Sequence, residues 1–99
     1  LYHKFKAKIT ERNNIKFRSK KEARYYDELL LKQKAGIVLF FLRQPMFDLP
    51  GGTTYRADFM VFYSDGHVEV VDVKGHRTKE FIRNKKQVEA LYPIKIEER

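Results

Sequence analysis

Asp58, Asp72 and Lys74 place charge in two runs of this chain that are otherwise apolar. Asp58 follows Tyr55-Arg56-Ala57 and precedes Phe59, while the other two sit in Val70-Val71-Asp72-Val73-Lys74-Gly75. Asp72 and Lys74 are two apart, so on a strand their side chains point the same way. A charged pair inside a β-branched run costs desolvation unless something compensates it. A divalent cation together with a phosphate would do so. Carboxylates are hard oxygen ligands and suit Mg²⁺ or Mn²⁺, whereas zinc favours His or Cys. The chemistry expected of these residues is metal-assisted hydrolysis of a phosphodiester.

Whether Asp58 and Asp72 can meet depends on the loop between their strands. A two-residue Asp65-Gly66 loop pairs Ser64 with His67 and sets Asp58 against Val73. A three-residue Ser64-Asp65-Gly66 loop, with Gly66 left-handed, pairs Tyr63 with His67 instead. Asp58 then faces Asp72, Arg56 faces Lys74, and Met60 and Phe62 share the face of Val68 and Val70. We favour the second register. Facing aspartates have Cβ atoms about 5 Å apart, a repulsive pairing that calls for a shared proton or a bound cation. Lys74 would reach a phosphate oxygen or an attacking water, and the Val73 backbone carbonyl is a further candidate ligand. Glu22 is a candidate third carboxylate, because it borders the buried face of the first helix.

The elements that must position these residues are legible in outline. Residues 1–18 alternate basic and apolar and read as an extended arm or an edge hairpin, whose lysines would suit a protected sheet edge and equally a phosphate-contacting arm. Ser19-Lys20-Lys21-Glu22 is a capping-box pattern opening a helix over about 19–35, with Ala23, Tyr26, Leu29, Leu30 and Gln33 at helical spacing and Gly36 ending it. The run 37–49 reads as a strand with a bulge or break at Pro45, and Pro50-Gly51-Gly52 as a turn. Residues 53–63 and 68–74 make the next two strands, and Gly75 breaks the second. Thr78 caps a helix to about Leu91, with Phe81, Ile82, Val88 and Leu91 on its buried side, and Tyr92-Pro93 stops it. Residues 94–97 form a last short strand. The order is α-β-β-β-α-β, a single α/β domain with a mixed sheet flanked by helices and a basic N-terminal arm. A crossover helix before the last strand should lay it parallel to the third strand.

Composition narrows the partners. A net charge of +8 on 99 residues favours a polyanion, and nucleic acid is the commonest one. An anionic membrane surface ranks second, because no helix joins a basic face to a broad apolar one. No apolar run approaches the length of a membrane span, and the basic N-terminus lacks the apolar stretch of a signal peptide. The absence of cysteine excludes disulfides and thiolate metal sites and fits an intracellular location.

Each feature has a plainer explanation beside the functional one. Glu22 is accounted for as the capping-box partner. Lys20 and Lys21, and Arg77, Lys79, Arg83, Lys85 and Lys86 near the second helix, read by default as solvated. Beside a metal site, Lys20, Lys21, Arg77, Lys79, Arg83, Lys85 and Lys86 would hold phosphates. Gln44 would orient water or DNA; otherwise it is a satisfied polar residue. His3, His67 and His76 share no ligand spacing and read as surface residues, with His76 near the mouth of the site. Tyr25 and Tyr55 are candidates to touch a base or sugar; the other aromatics read mostly as core. No phosphate-binding glycine loop and no Ser or Cys nucleophile with an oriented base is present.

Phe17-Arg18-Ser19-Lys20-Lys21-Glu22-Ala23 resembles the first-helix motif of the phage and prophage resolvase-like branch of the PD-(D/E)xK nuclease superfamily. Tyr55-Arg56-Ala57-Asp58-Phe59 and Val71-Asp72-Val73-Lys74-Gly75 resemble its two catalytic strands. The resemblance runs from about Phe17 to the end. Ala57 stands where that motif has its proline, and Asp72 where Glu is commoner. The resemblance implies a restriction-endonuclease-like core over residues 19–99 and Mg²⁺-dependent hydrolysis of DNA leaving a 5′-phosphate, with Mn²⁺ able to substitute. It assigns catalysis to Glu22, Asp58, Asp72 and Lys74, with metal held by Asp58, Asp72 and the Val73 carbonyl, and Glu22 completing the shell or assisting through water. The implied substrate is a four-way junction cut by a homodimer, with the N-terminal arm as a candidate contact between subunits. Nicking or restriction-like cleavage of duplex DNA, and an inactive DNA-binding module of this fold, are the alternatives.

Overall fold

Residues 9–74 and 76–99 are described by a computed structural model. Along the chain they form β1 (Thr10–Arg12), β2 (Ile15–Phe17), α1 (Lys20–Lys34), β3 (Val38–Arg43), β4 (Met46–Leu49), a 3₁₀ turn (Pro50–Gly52), β5 (Thr53–Arg56), β6 (Phe59–Tyr63), β7 (Val68–Asp72), α2 (Lys79–Leu91) and β8 (Ile96–Glu98). The expectations for His3, for the first half of the basic arm and for the strand break at Gly75 lie outside the described residues.

Alternation within the strands builds two apolar faces on a four-stranded sheet of order β3-β6-β7-β8. Phe59, Val61 and Val71 pack with Ala23, Tyr26 and Leu29 of α1. On the other side Val70 and Ile96 pack with Phe81 and Val88 of α2. Each helix therefore covers one face of the sheet. β3, β6 and β7 are antiparallel neighbours, and β8 lies parallel to β7 across the α2 crossover, as expected. Ser19 Oγ accepts the Glu22 N–H at 3.1 Å, and Thr78 Oγ1 accepts the Phe81 N–H at 3.0 Å, so both expected N-caps form. Gly36, at φ +81°, supplies the left-handed residue that leads the chain out of α1.

Several boundaries differ from expectation. The run 53–63 is not one strand. β5 pairs with β4 and β6 pairs with β3, and the chain bends between them at Ala57-Asp58. The partner run breaks beside it at Gln44-Pro45, the break expected at the proline. Proline lacks the ladder N–H, and Gln44 adopts φ +56°. The corner stays bonded, with Gln44 N–H to Asp58 O at 2.9 Å and Ala57 N–H to Pro45 O at 3.0 Å. The β4–β5 ribbon thus swings out of the sheet and packs Phe47, Leu49 and Tyr55 toward α2.

Leu91, expected in the core, is 53% exposed. Tyr92 packs there instead, with its ring against Phe47 and its hydroxyl donating to Asp48 O at 2.8 Å. Gln33 is exposed, and Tyr25 takes a core position on α1. Tyr25 and Tyr55 are both buried, which removes them as base or sugar contacts. The last strand begins at Ile96 rather than Ile94, and β7 ends at Asp72, so Lys74 lies just beyond it. Of the N-terminal segment, residues 10–17 are a hairpin rather than a free arm. Asn13 and Asn14 turn it with φ +50° and +65°, and it is pinned to α1 by buried Phe17 and an Arg12–Asp27 ion pair of 3.0 Å.

Candidate functional site

The β6–β7 loop has three residues. Tyr63 N–H donates to His67 O, Gly66 N–H donates to Tyr63 O, and Gly66 has φ +98°. The favoured loop register is the one observed, and the ladder runs outward to the pair Phe59 with Val71. It ends there: Asp58 N–H bonds to Val71 O, so the direct pairing of Asp58 with Asp72 expected from that register is not among the ladder pairs. The two residues are neighbours at the corner where β6 begins, with the Asp58 amide beside the Asp72 carboxylate.

That corner changes what Asp58 does. Its N–H donates to Val71 O at 3.1 Å, and its carboxylate Oδ2 accepts the Val73 N–H at 2.7 Å. A side-chain oxygen thus stands in for a ladder carbonyl and ties the corner to the end of β7. Burial raises the Asp58 pKa above the usual carboxylate value, while the Val73 amide, Lys74, Arg43 and Arg56 oppose the rise.

Asp72 ends β7 with only 1% of its surface exposed, and neither carboxylate oxygen has a hydrogen-bond partner among the described residues. Lys74 Nζ lies 3.7 Å from Oδ1, an ion pair without a hydrogen bond. Burial pushes the Asp72 pKa up to about 6, against the pull of Lys74 and the nearby Asp58 amide. Lys74 is held from several sides. Its Nζ sits 4.6 Å from the Phe81 ring centroid, its N–H donates to Arg99 O, and its carbonyl accepts Lys21 Nζ at 2.7 Å.

Glu22 lies half-buried in the first turn of α1. Its N–H is capped by Ser19, but its carboxylate makes no return bond to Ser19 N–H, so only half of the capping box forms. Burial raises its pKa first and the charge on Asp58 second, with Asp72 adding and Arg43 and Arg18 opposing. Glu22 is therefore near both aspartates. Even so, among the described residues no three His, Asp or Glu side chains gather into a group that could hold one metal ion. The expected three-carboxylate shell is not assembled; Asp58 and Asp72, neighbours at the corner, are the smaller oxygen set. Two buried carboxylate oxygens without partners are donors that a hard cation would satisfy.

The basic residues expected to hold phosphates are placed unevenly. Arg77 is ion-paired with Glu98, which it shares with Lys85. Lys21 is committed to the Lys74 carbonyl. Lys20, His76, Lys79, Arg83 and Lys86 are exposed, as is Gln44. A recess of about 210 Å³ beside the carboxylates is lined by Glu22, Asp58 and Gln44, and also by Lys16, Arg18, Arg43 and Arg56. Sequence reading gave Arg18, Arg43 and Arg56 no phosphate role of their own and offered Lys16 one only as part of a basic arm. Arg18 and Arg56 flank the two motifs and could have been noticed; Lys16 and Arg43 reach the site only because β2 and β3 fold against it.

A family model described as "Protein of unknown function (DUF1064)" matches residues 2–97. No curated protein and no solved structure matches the chain. No helix among the described residues is long and apolar enough to cross a membrane.

Proposed function

The chain belongs to the DUF1064 family, and we propose that it is a metal-dependent DNA endonuclease of the PD-(D/E)xK kind. Its preferred substrate on this reading is branched DNA such as a four-way junction. One observation carries the reading: the buried Asp72, whose two oxygens have no hydrogen-bond partner among the described residues, lies beside Lys74 and next to the Asp58 corner. A purely structural pair at this place would be expected to satisfy its carboxylates within the fold.

Asp58, Asp72 and the Val73 carbonyl would hold Mg²⁺, with Mn²⁺ able to substitute. A cation bound there supplies Lewis acidity toward the phosphate and a more acidic water. Lys74, fixed by Phe81 and its backbone bonds, positions the attacking oxygen and offsets charge on the phosphate as it builds. Glu22, close to Asp58 but outside a shared cage, takes up a proton through water. Arg83 and Lys86 steer the DNA backbone. Paired cuts on a junction call for two sites, hence a homodimer.

The test compares four-way junction, duplex and single-stranded DNA, each with Mg²⁺ and with chelator. Junction cutting that needs Mg²⁺ is expected, with Asp72→Asn lowering the rate at least a hundredfold. Duplex cutting of equal rate would shift the reading to a nicking or restriction-like nuclease. Binding without any metal-dependent cutting would replace it with an inactive DNA-binding module, the reading favoured by the missing three-carboxylate group. An Asp72→Asn protein cutting at the wild-type rate would refute the site itself.

A further inference from the structure

The recess beside Asp58 holds four cations that make no ion pair among the described residues: Lys16, Arg18, Arg43 and Arg56. Elsewhere Arg12, Lys32, Arg77, Lys85 and Arg99 each reach a carboxylate. Glu22 and Asp58 line the recess, yet neither comes within ion-pair distance of any of the four. If both are ionised, four positive charges face two negative ones around one small volume. Clustered like charge of this kind is relieved by an anion.

Arg43 is the residue prepared for that anion. Its guanidinium carbon sits 4.8 Å from the Phe17 ring centroid, which fixes the plane of the fork. Its Nε is buried and has no hydrogen-bond partner among the described residues. Next to it Gln44, which also lines the recess, adopts φ +56°, a left-handed conformation uncommon for a residue with a side chain. A planar fork with an unmet donor suits the paired oxygens of a phosphodiester. Arg56 lines this recess and also a neighbouring one of about 250 Å³ that contains Lys74, Thr78 and Asn84. A strand seated by Arg43 would therefore pass Arg56 on its way to Lys74.

We propose that the Arg43 recess binds a DNA backbone phosphate next to the one that is cut, with Arg43 and Arg56 as positioning residues. This rests on the endonuclease reading, but it is tested without cleavage. Binding of a short labelled thymidine oligonucleotide is measured in chelator over a range of salt. Arg43→Met, which keeps an apolar stem over Phe17, should weaken binding about tenfold and reduce the salt slope by about one. Arg43→Lys keeps the charge without the fork and should fall between the two. Lys34→Met removes an exposed charge from the far end of α1, twelve residues and about 18 Å beyond Glu22 along the helix. It should bind nearly as wild type. Inorganic phosphate, followed by the Arg43 Nε–H resonance, should bind far more weakly than the oligonucleotide.

Wild-type affinity and salt slope in Arg43→Met would overturn the proposal, and so would an equal loss in Lys34→Met, which would show net charge alone at work. Tighter binding of inorganic phosphate than of oligonucleotide would overturn it as well. Arg43-dependent binding by a protein that never cuts DNA would leave the recess standing and remove the endonuclease reading.

Discussion

Asp72 is held where its ionised form lacks hydrogen bonds, so its protonation is coupled to stability. Its folded pKa of about 6 lies above the ordinary 3.8 expected in the unfolded chain. Between these values the folded state holds the extra proton. The resulting stabilisation is complete below about pH 4 and is lost as pH rises through about 6. In chelator, Asp72→Asn should be more stable than wild type above about pH 6, on the order of 3 kcal/mol, and the gap should close near pH 4. Thermal melts across that range check this; a gap independent of pH would refute the buried-charge account. Mg²⁺ should raise the wild-type melting temperature and leave that of Asp72→Asn unchanged. Charge in an apolar run was visible in the sequence at Asp58, Asp72 and Lys74. That Asp58 would spend one oxygen on the Val73 amide was not, because the bond exists only at the corner between β5 and β6.

Two elements set the position of these residues. The first turn of α1 carries Glu22, and Ser19 closes that turn. Ser19→Ala should cost about 1 kcal/mol of stability and lower Mg²⁺-dependent cutting by loosening Glu22, measured by denaturant melts and turnover. The β6–β7 loop fixes the register through Gly66 at φ +98°. Gly66→Ala should destabilise by about 1 kcal/mol, because a side chain is strained at that φ although space is open around it. Both elements were legible, since cap and turn chemistry are local. The splitting of 37–49 and 53–63 was legible only at Pro45. The opposite strand carries no breaker; it bends at Ala57-Asp58 because its partner does, and that coupling is tertiary.

Across the whole molecule, the excess of eight positive charges predicts DNA binding that weakens steeply with salt. Removing Arg83 and Lys86 together, both exposed, should reduce the salt slope by about two and leave the cutting rate at saturating DNA unchanged. A fall in that rate would place them in the catalytic machinery instead. The chain's own order of residues determined the two capped helices, the three-residue loop and the parallel last strand. These follow from nearest-neighbour sterics, capping and the two-residue period of a strand. Only the tertiary structure decided that Glu22 stays outside a shared cage, that Arg77 is consumed by Glu98, and that Lys16 and Arg43 arrive beside Asp58. Those outcomes depend on distances between segments remote in sequence, set by how β2, β3 and the bent ribbon pack around one corner.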